Sequence, residues 1–122
     1  MVIPIKTDLD NFFSVAIRVL NPVLKLSNTE TNVLANILLV LYANRNIDKN
    51  ILEEELLSYK SRVAIRSKLD ISEASLNNNI SSLKKKGILV KTKNGFNISK
   101  PIEVLMPIKN KLSVSFNIEV HE

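Results

Sequence analysis

Asn77, Asn78, Ser81 and Lys85 are the side chains of this sequence whose types and spacing suit one particular chemistry. At about 100° per residue of α-helix, Asn78, Ser81 and Lys85 share a face with Ala74, and Asn77 and Ser82 flank that face. Asn and Ser form hydrogen bonds with base edges in a major groove, and Lys reaches phosphate. Small uncharged polar residues on the outer N-terminal half of a helix, with lysines at its end, suit that task better than mere solubility. Arg66, Lys84, Lys86, Lys91 and Lys93 are the expected phosphate ligands, and Ser72, Ser75 and Asn94 complete the expected DNA-binding surface.

Other chemistries lack their residues. With no cysteine, the chain has neither a disulfide scaffold, nor a thiolate metal site, nor a Cys nucleophile. Its single histidine, His121, stands beside the C-terminus, so no His-based catalytic or metal cluster can form. Glu53, Glu54 and Glu55 are consecutive, and consecutive helical residues point in different directions, so they read as a solvated face rather than an acid or metal site. No nucleophile accompanies a base. The expectation is a non-enzyme without cofactor or metal.

The charge distribution agrees with a polyanion partner. The 122 residues carry a net +5. Residues 60–100 hold ten basic side chains (Lys60, Arg62, Arg66, Lys68, Lys84, Lys85, Lys86, Lys91, Lys93, Lys100) against Asp70 and Glu73, a local +8. The remainder carries seven basic and ten acidic residues. One third of the chain thus holds more than the whole excess, and each cation that neutralises a phosphate releases condensed counterions.

The elements that must position these residues can be read outward from them. Ser72 is a natural N-cap for the helix bearing Asn78, whose Leu76, Ile80 and Leu83 form one apolar stripe. A preceding helix from about Arg62 to Leu69 turns Val63, Ile65 and Leu69 inward, and Leu69-Asp70-Ile71-Ser72 is a tight turn. Gly87 stops the second helix as a C′ residue. Ile88–Val90 and Phe96–Ile98 then read as strands joined at Asn94-Gly95, with Lys91 and Lys93 near the tip.

Upstream, Val2–Ile5 reads as a short edge strand. A helix opens at Asp8 or Asp10 with Leu9, Phe12, Phe13, Ala16, Ile17 and Leu20 in phase, and Pro22 should end or kink it. Ser27 and Glu30 have capping-box spacing before a helix that is apolar nearly all round from Ile37 to Tyr42, hence central to the core or packed against a second subunit. A short helix over Asp48–Ser58 directs Ile51, Leu52 and Leu56 inward.

The segment IRSKLDISEASLNNNISSLKKKGIL resembles the common bacterial winged helix-turn-helix signature at Leu69, Ile71, Ser72, Ser75, Leu76, Ile80, Leu83, Gly87 and Ile88. It is similar to MarR-type regulators and to winged-helix replication initiators of small plasmids, over about residues 26–100. The preceding LSNTETNVLANIL resembles the helix opening that often comes before the motif. Two departures stand out. Asp70 replaces the usual Gly, which Asp's tolerance of the left-handed conformation permits. No Arg stands in the recognition helix to read guanine. The resemblance implies a mainly α fold with a small antiparallel β component (α+β), binding double-stranded DNA in transcription or replication control.

Three regions follow: an N-terminal strand and helix (1–26), the winged helix-turn-helix domain (27–100) and a C-terminal β-hairpin extension (101–122). In the extension, Leu112–Val120 alternates apolar and polar residues as a half-buried strand, with Ile102–Ile108 as its partner around Lys109-Asn110-Lys111. An apolar hairpin face needs cover. The N-terminal helix supplies it, from the same chain or from a second copy in a homodimer joined through 112–120 and that helix. The alternative function is a structural adaptor that uses the same fold and strands for protein assembly, as in a phage or plasmid-encoded complex. No signal peptide is expected in MVIPIKTDLD, and Val33–Ala43 is too short to span a bilayer. The expected setting is the cytoplasm.

Overall fold

A computed structural model describes residues 5–113 and 119–120. Among these residues five α-helices precede a two-stranded antiparallel sheet and a 3-10 helix, so the fold is mainly α with a small β component, as expected. The helices are α1 (Leu9–Leu24), α2 (Asn28–Ala43), α3 (Lys49–Glu55), α4 (Tyr59–Leu69) and α5 (Glu73–Lys85). The strands are β1 (Leu89–Lys91) and β2 (Phe96–Ile98), followed by the 3-10 helix Lys100–Leu105.

Each α-helix begins at a side-chain cap that the sequence supplies. The Asp8 carboxylate accepts from the Asn11 N–H at 2.9 Å and opens α1. Ser27 and Glu30 form the full capping box of α2, and Asp48, Ser58 and Ser72 open α3, α4 and α5. Pro22 does not terminate α1. The helix runs two residues further, to Leu24, and closes on Lys25 in the left-handed conformation (φ 55°). The Asn21 carboxamide holds that end by accepting from the Leu26 N–H at 2.8 Å and donating to the Leu26 carbonyl at 3.1 Å.

The core is built around α2, whose Val33, Leu34, Ile37 and Leu38 are fully enclosed. Phe13 and Ile17 of α1, Ile65 of α4, and Leu76, Ile80 and Leu83 of α5 close on it, and α2 contacts α1, α4 and α5. Its C-terminal half emerges: Val40 is exposed, and Leu39, Leu41 and Tyr42 are half-buried.

The structure corrects four further expectations. First, α3 turns Glu53 inward and leaves Ile51 exposed, because the hairpin covers α3 on the side of Glu53. Glu54 and Glu55 remain exposed. Second, the paired segment of the first strand starts one residue later than expected, with Leu89 opposite Ile98 and Lys91 opposite Phe96. Its loop is Thr92–Gly95, closed by Thr92 N–H to Gly95 carbonyl at 2.8 Å and Gly95 N–H to Thr92 Oγ1 at 3.1 Å.

Third, Ile102–Ile108 is not a strand. Pro101 sits in the first turn of a 3-10 helix that buries Ile102 and Leu105, the helix packing against α1 of the same chain. Proline has no N–H for a ladder and is tolerated at a helix start. The turn at Lys109 and Asn110 is present, both residues having positive φ (50° and 64°) between the bridged Ile108 and Lys111. Of the expected strand over 112–120, residues 114–118 lie outside the described residues. Fourth, the part of the expected N-terminal strand that is described, Ile5, has no regular structure; residues 1–4 also lie outside them.

Candidate nucleic-acid interface

Helix α5 is delimited at both ends by residues that its sequence makes necessary. Asp70 adopts φ 53°, ψ 52° and ends α4, its N–H and that of Ile71 both reaching the Arg66 carbonyl. Ser72 Oγ accepts from the Ser75 N–H at 3.0 Å and starts α5 two residues later. At the other end Gly87 has φ 74°. The Ile88 N–H reaches the Leu83 carbonyl and the Gly87 N–H reaches the Lys84 carbonyl, a Schellman pair that sends the chain into β1. The roll of α5 is fixed by Leu76, Ile80 and Leu83, all buried. The opposite face must therefore face outward.

That outward ridge is Ala74, Asn78, Ser81 and Lys85, all exposed. The side chains of Asn78, Ser81 and Lys85 have no hydrogen-bond or ion-pair partner among the described residues. The flanks differ sharply. On the α4 side, Asn77 Oδ1 accepts from Arg62 Nη1 at 2.9 Å, and Arg62 Nε donates to the Leu57 carbonyl at 2.8 Å. Arg66 lies 3.9 Å from the Glu73 carboxylate, and its Nε is unpartnered among the described residues. Lys84 Nζ stands 5.4 Å from the centroid of the Phe96 ring, which ties the end of α5 to the hairpin.

On the α2 side, Ser82 Oγ donates to Glu30 Oε2 at 2.8 Å, and Lys86 Nζ donates to Glu30 Oε1 at 2.9 Å and to the Lys25 carbonyl at 3.0 Å. Glu30 also completes the capping box of α2 with Ser27. Its burial opposes ionisation, but the Lys86 ammonium, the Ser27 N–H and the Ser82 hydroxyl outweigh that and hold the carboxyl down at about 2. Ser82 and Lys86 are thus engaged by other residues of the chain, apart from the ridge. Ser75 is half-buried and accepts from Asn79, while Ser72 is exposed at the start of the helix.

The hairpin rests on α3. Asn94 Nδ2 donates to Asn50 Oδ1 at 2.9 Å, Asn97 Nδ2 approaches Glu53 Oε2 at 3.4 Å, and a β-carbon on Gly95 would overlap the Glu53 carbonyl. Asn94 is therefore half-buried and occupied, whereas Lys91 and Lys93 are exposed with no acidic partner among the described residues. Of the fourteen expected site residues, the structure gathers Ala74, Asn78, Ser81 and Lys85 on one ridge with Asn77 at its edge. It turns Ser82, Lys86 and Asn94 toward other parts of the chain.

Two residues that matter to this surface were read in the sequence only for other reasons, Glu30 as a cap and Arg62 as one cation of the basic segment. Glu30 anchors the end of α5, 52 and 56 positions along the chain from Ser82 and Lys86. Arg62 holds Asn77 from the preceding helix. Neither the capping-box spacing of Glu30 nor the charge of Arg62 marks these partners in the sequence. The ridge can offer hydrogen-bond donors, an acceptor and a cation to a partner without breaking any bond within the protein. No family model, curated protein or solved structure matches the chain.

Proposed function

We propose that this chain is a DNA-binding protein that acts through a winged helix-turn-helix in transcription or replication control. On this reading α4 and α5 are the helix-turn-helix, α5 enters the major groove and the β1–β2 hairpin is the wing. One observation carries the proposal: the ridge Ala74–Asn78–Ser81–Lys85 keeps its polar groups unpartnered among the described residues, while the polar groups beside it are engaged. Exposed Lys91 and Lys93 on the hairpin, and Lys60, Lys68 and Lys100 elsewhere in the basic segment, are suited to phosphates.

Binding of this kind is tested by its salt dependence. Affinity for a duplex of about 20 base pairs should fall steeply between 50 and 200 mM salt, since the logarithm of the affinity loses roughly 0.9 per phosphate neutralised. The double variant Lys91→Ala, Lys93→Ala should flatten that slope by up to about 2. Affinity that ignores salt would contradict the proposal.

A second reading, assembly with other protein copies, is favoured by a separate observation. Val104 and Ile108 point outward, 64% and 77% exposed, at the C-terminal end of the described fold. In that reading α1 and 112–120 make a homodimer or a larger assembly, and a mass measurement of the free protein finds more than one copy.

A further inference from the structure

The three consecutive asparagines of α5 differ in which half of the carboxamide remains available. One lone pair of the Asn77 oxygen is taken by Arg62, which holds that carboxamide toward α4. Asn79 is half-buried and gives its amide to the Ser75 carbonyl at 2.7 Å. Asn78 is exposed, and both its oxygen and its amide lack partners among the described residues.

Reading adenine with asparagine needs both halves at once: the amide donates to N7 and the oxygen accepts from the N6 amino group. A carboxamide held by a bond within the protein is not free to turn both halves onto one base edge. We infer that Asn78 is the specificity-determining residue of the interface and takes the major-groove edge of an adenine, with Ala74 packing its methyl against a thymine methyl. The inference rests on the DNA-binding reading and names what that surface selects. Ala74 lies one turn before Asn78 on the ridge, a rise of about 6 Å. That distance puts the two contacts on base pairs one or two steps apart, at about 3.4 Å per step. No arginine on α5 is available to take the paired acceptors of guanine.

The test has two stages, both on the full chain. Selection from random duplexes is run in parallel for the wild type and Asn78→Ala; the substitution breaks no hydrogen bond among the described residues. The best wild-type duplex is then remade with 7-deazaadenine at each A in turn, which removes N7, and with deoxyuridine at each T, which removes the methyl.

The inference predicts a fixed A·T pair in the wild-type selection, weakened about tenfold by one 7-deazaadenine, while Asn78→Ala binds the natural and modified duplexes equally. A smaller loss from one deoxyuridine should disappear in Ala74→Gly. If Asn78→Ala selects the same sequence with the same penalty for 7-deazaadenine, Asn78 does not read that base and the inference is wrong. If the wild type binds every duplex alike with a steep salt slope, the inference fails and DNA binding stands. If it binds none, both fail together.

Discussion

At Glu30 a single carboxylate performs three tasks: it completes the cap of α2, holds Lys86, and receives the Ser82 hydroxyl. Its carboxyl is lowered from an ordinary 4.5 to about 2, so its ionised form stabilises the fold. The contribution is complete above the unfolded value of 4.5 and disappears as pH falls toward 2. A shift of that size is on the order of 3 kcal/mol. Acid unfolding followed by circular dichroism should therefore show a loss between about pH 5 and 2 that is much smaller in Glu30→Gln. Equal acid sensitivity in the two proteins would deny Glu30 this role. The neighbouring lysines should separate in the same way. Lys86→Ala removes a charged hydrogen bond and should lower stability by about 2 kcal/mol at neutral pH. Lys85→Ala should leave stability within about 0.5 kcal/mol, as an exposed residue away from structural contacts, and reduce DNA affinity instead. Asp70 was legible in the sequence for a local reason: a turn of that length needs a left-handed residue, and φ 53° is what it adopts. The partners of Glu30 were not, because a hydrogen bond across 52 or more positions leaves no mark in local spacing.

Among the elements, Ser58, read as the end of one helix, caps the next, and α4 starts at Tyr59 rather than near Arg62. The caps of α1, α2 and α5 were legible because Ser, Asp and Glu caps act within three or four residues. The apolar stripe of α5 is of the same kind: Leu76, Ile80 and Leu83 sit where the 3.6-residue period requires. What failed was decided by packing between elements. Glu53 has no sequence feature that sets it apart from Glu54 and Glu55; it is buried because the hairpin docks there. That docking is itself testable. Gly95→Ala forces a β-carbon into the Glu53 carbonyl and should cost about 2 kcal/mol or more, with hydrogen exchange rising in β1, β2 and α3 together. A neutral Gly95→Ala would mean that the hairpin stands clear of α3. The C-terminal region misled for a related reason. Ile102–Ile108 was read as the partner of the alternating strand over 112–120, but Pro101 fixes the backbone at the start of a helical turn, and burial of Ile102 and Leu105 as that helix packs on α1 does the rest.

Over the whole molecule, the fold supplies a fixed support for one outward helix face. The α2 core sets the roll of α5, Glu30 secures its C-terminal end, Arg62 one flank, and the hairpin on α3 carries Lys91 and Lys93. The segregated charge of residues 60–100 was plain in the sequence. Which of its cations are already engaged was not, since Arg62, Arg66 and Lys86 find their partners only in three dimensions. On the proposed reading, the surface left to meet DNA is the α5 ridge and the hairpin. The measurement that tests this most directly is a nitrogen–proton correlation spectrum of the full chain titrated with an A·T-containing duplex in 100 mM salt. The account predicts shifts concentrated at Ala74, Asn78, Ser81 and Lys85 and at Lys91 and Lys93, with the amides of α1 unmoved. Shifts confined to α1 and the C-terminal region, or none at all, would contradict it.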